Sequence, residues 1–136
     1  MIRIDYDETR TPVVAGLSGD LNAEGIEKFN SSLEKYIPGI GTALLVDLSN
    51  VDLIDSSGLG ALIKLVTRGR LRQGEVIIVA PNAFVRGVFE TTRLDTWFDI
   101  SATVESALER LRSEQKRPAT SHVEPRWTET RWLSNG

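Results

Sequence analysis

Two continuous apolar runs, Leu44-Leu45-Val46 and Val76-Ile77-Ile78-Val79, constrain this chain more than any other feature. A strand with one wet face alternates apolar and polar residues, because successive side chains point to opposite faces. A run without alternation reads as a strand buried on both faces, as in a parallel sheet layered with helices. The first run ends at Asp47 and the second is closed by Pro81. Between them, Leu59, Leu62, Ile63 and Val66 line one helical face, and Gly74 is placed to close that helix as a C-terminal cap.

The flanking segments extend the alternation of strands and helices. Ile2–Tyr6 and Val13–Leu17 are short and strand-like, the second following Pro12 and ending at the turn signal Gly19. Asn22 then starts a helix in which Ile26, Phe29, Leu33 and Ile37 recur at helical spacing, and Pro38-Gly39 stops it. After Pro81, Asn82 caps a short helix carrying Val85, Val88 and Phe89. Phe98–Ile100 forms a last strand, and Ser101 caps a final helix with Val104, Leu108 and Leu111 on one face. Strand–helix repeats imply right-handed crossovers and parallel pairing. The first two strands are joined too closely for a crossover, so one antiparallel or edge strand is expected. The fold class is α/β, with a mixed, mostly parallel β-sheet and helices packed against it.

At 136 residues the chain is the size of one domain, which the elements place at 1–112. From 113 to 136 the sequence turns polar and irregular, with Pro118 and Pro125, and reads as a flexible tail. Trp127 and Trp132 in it fit either a loose fold-back onto the domain or a docking segment with two aromatic anchors. The absence of cysteine excludes disulfides, thiolate metal sites and cysteine nucleophiles. A net charge of −3 argues against nucleic acid as a partner, and Arg68, Arg70 and Arg72 read as solvated charge. No apolar run approaches a membrane span, and Met1–Asp5 lacks the apolar stretch of a signal peptide, so a cytoplasmic location and no membrane partner are expected. No cofactor or metal is implied.

The segment from Val46 to Gly60 leads from a buried strand through a loop into a helix. In open α/β sheets, sites gather at such carboxyl ends of strands. Asp55, Ser56 and Ser57 all favour a helix N-cap and stand in a row, although one cap needs only one of them. A plain cap followed by packing glycines would account for them. The alternative is a serine hydroxyl left exposed for phosphorylation, at a helix start whose free N–H groups and dipole tolerate a phosphate. Gly58 and Gly60 would then keep the site open to another chain.

Embedded in this order of elements, Asp55-Ser56-Ser57-Gly58-Leu59-Gly60 after "DLSNVDLI" resembles the STAS domains of bacterial anti-sigma factor antagonists. Gly19-Asp20-Leu21, the Gly74–Val79 stretch and "FVRGVFETTRLDTWFDI" extend the resemblance over about residues 2–112. It implies a partner-switching cycle. Unphosphorylated antagonist binds an anti-sigma factor that is also a serine protein kinase, and so frees a sigma factor. The kinase phosphorylates the antagonist and the complex separates. A metal-dependent serine phosphatase resets the cycle. The phosphorylated residue maps onto Ser57, with Ser56 as second choice, and Asp55, Ser56, Ser57, Gly58, Leu59, Gly60, Asp20 and Asn22 form the partner-binding loops. Family members carry aspartate where this chain has Asn22, so one negative charge near the serine is missing.

Other readings are poorer. Ser57 lies outside a Gly-x-Ser-x-Gly elbow, Lys64 is seven residues further on, and the one histidine, His122, is in the tail, so no hydrolase emerges and the chain is not read as an enzyme. Gly58-x-Gly60 is followed by Ile63 where a dinucleotide fingerprint needs a third glycine. Asp5 and Asp7 with Asp47, Asp52 and Asp55 could imitate a phosphoacceptor receiver, but Val76–Pro81 and Trp97–Ile100 contain no lysine. The remaining rival is a STAS scaffold that uses the same surface constitutively.

Overall fold

The computed structural model describes residues 2–9 and 11–115, the last two by their backbone alone. Eleven segments alternate along it. Strands β1 (Arg3–Asp7) and β2 (Val13–Leu21) come first, then a 3-10 turn at Ala23–Gly25 running into α1 (Ile26–Leu33). A further 3-10 turn at Glu34–Tyr36 leads to β3 (Ala43–Ile54), α2 (Ser56–Leu71), β4 (Glu75–Val79), α3 (Ala83–Thr91), β5 (Asp99–Ser101) and α4 (Val104–Gln115). The tail that begins at 113 therefore contributes three residues to α4. Trp127, Trp132 and His122 lie outside the described residues.

The five strands lie in the order β1-β2-β3-β4-β5. β1 is antiparallel to β2, and every later pairing is parallel. The mixed, mostly parallel sheet expected from the sequence is thus the sheet observed. Its apolar runs supply both faces. Leu44, Val46, Val76 and Ile78 join the larger core with residues of α1, α2 and α3, including Phe29, Leu62 and Phe89. Their neighbours Leu45, Ile77 and Val79 face the other way, where Ala107 and the partly buried Val104, Leu108 and Leu111 of α4 cover them. All seven strand residues are 2% exposed or less. At roughly 25 cal/mol per Å² of apolar surface removed from water, this double burial drives the layering.

Local details depart from the sequence reading. β2 does not end at Gly19 but continues to Leu21, and Gly19, at φ +96°, sits at a register shift against β3. β3 does not end at Asp47 but runs on to Ile54. The left-handed residue after α2 is Gln73, at φ +65°, not Gly74. Gly74 is needed for a different reason, since a Cβ there would lie 2.5 Å from the carbonyl carbon of Pro38. β5 falls one residue later than expected and includes Ser101, which is buried and whose carbonyl accepts from Ala80 N–H. The cap of α4 is instead Thr103. Its Oγ1 accepts from Ser106 N–H at 2.9 Å, and Ser106 Oγ accepts from Thr103 N–H at 3.2 Å, a reciprocal capping arrangement.

The arginines of α2 are also more than solvated charge. Arg68 donates to both carboxylate oxygens of Glu34 on the neighbouring 3-10 turn, each at 2.7 Å. The Arg70 guanidinium lies 4.4 Å from the Trp97 ring centroid and donates to the Trp97 carbonyl. No helix among the described residues is long and apolar enough to cross a membrane.

Candidate functional site

The site is built where β3 outruns its neighbour. β4 pairs with β3 only from Ala43 to Asp47, whereas β2 stays paired with it to Ile54. Two register shifts accommodate the extra length, between Gly16 and Ser18 and between Gly19 and Asp20. Asp47 Oδ1 accepts from Ser49 N–H at 2.9 Å at the first of them, so this acid serves the local backbone. Beyond it β3 projects as a two-stranded extension with β2, and that extension delivers the chain to α2.

Parallel register then assembles the two halves of the sequence motif. Asp20 pairs with Leu53 and Leu21 with Ile54. Asn22 and Asp55, the next residues, leave the ends of adjacent strands. Asp55 N–H donates to the Leu21 carbonyl at 3.3 Å, which fixes the junction. Asn22 caps the 3-10 turn, its side chain accepting from Glu24 N–H at 3.1 Å. Asp55 caps α2, with Oδ1 accepting from Gly58 N–H at 2.9 Å. The expected partner-loop residues from both segments therefore meet at one pole of the sheet.

With Asp55 in the cap position, Ser56 and Ser57 become the first two residues of α2. Both are exposed, and neither side chain hydrogen-bonds to another described residue. Their N–H groups belong to the first helical turn and have no intrahelical acceptor. The positive end of the helix dipole lies beneath them. An anionic group on either hydroxyl would find free donors and a favourable field.

The two glycines divide the work differently from expectation. Gly58 is buried, and a Cβ there would lie 2.1 Å from the Leu21 carbonyl oxygen and 2.9 Å from Ile54 Cγ1. It permits the chain's own strand to approach the helix, and is not an opening for a partner. Gly60 is exposed, with nothing among the described residues within 4 Å of its missing Cβ, and is the residue that leaves the surface open. Leu59 is half-buried against the larger core. Two further residues adjoin this junction. Leu53 is 52% exposed although it sits in a strand. Asn82 does cap α3, accepting from Val85 N–H, but its Nδ2 also donates to the Val51 carbonyl at 2.7 Å. Sequence spacing carries no signal for that second bond.

The STAS domain family model matches residues 3–107, a span that contains the whole site. The chain belongs to the STAS domain family. This STAS domain is 31% identical over 110 residues to the anti-sigma F factor antagonist of Lysinibacillus sphaericus, covering 76% of this chain and 89% of the relative. An anti-sigma factor antagonist from Mycobacterium paratuberculosis has the same fold at a TM-score of 0.72 and 23% identity, over 82% of this chain and 95% of that one. The Bacillus cell fate determinant SpoIIAA in its phosphorylated form matches at a TM-score of 0.61 and 23% identity, over 80% and 99% of the two chains. The STAS domain described here is thus a homologue of anti-sigma factor antagonists.

Proposed function

We propose that this protein is an anti-sigma factor antagonist controlled by phosphorylation of Ser57. Unphosphorylated, it binds an anti-sigma factor that is also a serine kinase. Phosphorylated, it lets go, and a metal-dependent phosphatase restores it. The observation that carries this reading is the division of labour among three cap-forming residues: Asp55 takes the cap, and both serines stay exposed on the first turn of α2 with no side-chain hydrogen bond to another described residue.

Added phosphate places about 1.5–2 negative charges on that turn. The free N–H groups accept them without unfolding the helix. A partner lying across Leu53, the serines and Gly60 would meet the charge directly, and like-charge or desolvation penalties there release it. Asn22 beside Asp55 leaves the junction one charge poorer than an aspartate would. The relatives support an anti-sigma factor as the partner, and SpoIIAA is a protein of this fold that exists in a phosphorylated form.

Incubation with the kinase-type anti-sigma factor encoded nearest this gene, and ATP, tests the assignment. Wild type should take up phosphate as an acid-stable phosphoserine, and Ser57→Ala should lose it. Equal labelling of Ser57→Ala moves the site to Ser56 or elsewhere. No labelling of wild type favours a constitutive scaffold.

A further inference from the structure

Among the described residues, the extension of β3 has β2 on one side and no strand on the other, because β4 pairs with it no further than Asp47. Backbone groups on that open side need another partner, since an unpaired buried carbonyl is costly. Val51 is fully buried there, and the Nδ2 of Asn82 reaches its carbonyl at 2.7 Å. Asn82 lies just past β4, and its Oδ1 simultaneously accepts from Val85 N–H at 2.9 Å to start α3. One side chain therefore closes the start of α3 and replaces the missing rung of the sheet. Four residues beyond Val51 the chain reaches Asp55, the cap of α2.

We propose that Asn82 is a positioning residue for the phosphorylation segment: its amide tethers the β3 extension to α3 and so fixes how Ser56 and Ser57 are presented to a kinase or partner. The side chain bonds to Val51 and Val85, not to either serine. It acts through the backbone of Val51 and the strand that follows. Because the amide has separate donor and acceptor ends, its two roles can be separated by substitution. Asn82→Asp keeps an oxygen for Val85 N–H, as aspartate caps helices as well as asparagine does. It removes the donor and sets a carboxylate against the Val51 carbonyl. Asn82→Ala removes both functions.

Amide hydrogen exchange on the full-length protein, followed by NMR, tests the tether without any partner. In Asn82→Asp, exchange at residues 50–55 should quicken about tenfold or more, while the middle of α2 and the amides of α3 hold their wild-type rates. Unchanged exchange at 50–55 overturns the proposal. Uniformly faster exchange across α3 and α2 overturns it as well, because Asn82 would then serve the fold at large. The consequence at Ser57 depends on the partner-switching reading, whereas the tether does not. With the neighbouring kinase and ATP, Asn82→Asp should lower kcat/KM for Ser57 about tenfold. If wild type is labelled at Ser57 and Asn82→Asp is labelled equally well, the positioning role fails. If wild type is not labelled while 50–55 exchange faster in the variant, the phosphorylation reading fails and the tether stands.

Discussion

The carbonyl oxygen of Leu21 occupies the space that a side chain on Gly58 would need, 2.1 Å from an ideal Cβ. The same carbonyl accepts from Asp55 N–H, so the end of β2 and the start of α2 are locked together through one oxygen. Gly58→Ala must push the helix off the strand or break that bond. A loss of about 2–3 kcal/mol is expected, at the upper end for overpacking because the obstruction is backbone. Gly60→Ala meets nothing and should be stabilising by about 0.5–1 kcal/mol, as for an alanine replacing glycine inside a helix. Urea denaturation of both variants checks the pair, and similar midpoints for the two would contradict the packing described.

Asp55 Oδ1 on Gly58 N–H is the cap of a sixteen-residue helix. Asp55→Ala should lower stability by about 1 kcal/mol, and Asp55→Asn should lose much less, since asparagine caps equally well. Thermal unfolding followed by circular dichroism measures both. If alanine is tolerated as well as asparagine, a serine has taken over the cap and is no longer free.

The Arg68 guanidinium holds the Glu34 carboxyl below its ordinary pKa, chiefly through the hydrogen bonds between them. Glu34 is thus charged more readily in the folded chain than in the unfolded one. A depressed folded-state pKa contributes stability that is fully present above the unfolded value and is lost as pH falls through the folded one. The stability difference between wild type and Glu34→Gln should therefore be present at pH 7 and shrink as pH drops below about 4.3, the ordinary glutamate value. Denaturation curves at pH 7 and pH 3 decide this, and a pH-independent difference would contradict the pairing.

The central sheet was legible in the sequence because β3 and β4 are apolar without alternation, a pattern with few structural solutions. The stripes of α1, α2 and α3 were legible for the same reason of periodicity. The extension of β3 was not. Its burial pattern is broken by two register shifts, and Ser49, Asn50 and Asp52 look like loop residues although they lie in a strand. Caps were legible where one candidate stood alone, as at Asn22 and Asn82, and misread where two stood close, as with Ser101 and Thr103. Gly74 illustrates a further ambiguity. Glycine serves both left-handed turns and close approaches, and here the approach to Pro38 claims it while Gln73 makes the turn. Gly58 carries the same ambiguity, and the approach to Leu21 claims it. The start of α2 was readable from Asp55, Ser56 and Ser57. Which of them takes the cap depends on the junction with Leu21, which only the folded register supplies.

Phosphate at Ser57 is the proposed release signal. The most direct test is calorimetric titration of the anti-sigma factor with two forms of this protein, unphosphorylated and stoichiometrically phosphorylated at Ser57. A loss of affinity of tenfold or more, about 1.4 kcal/mol, is predicted, with Ser57→Asp weakened in the same direction and still folded. Equal affinity of the two forms would contradict the switch.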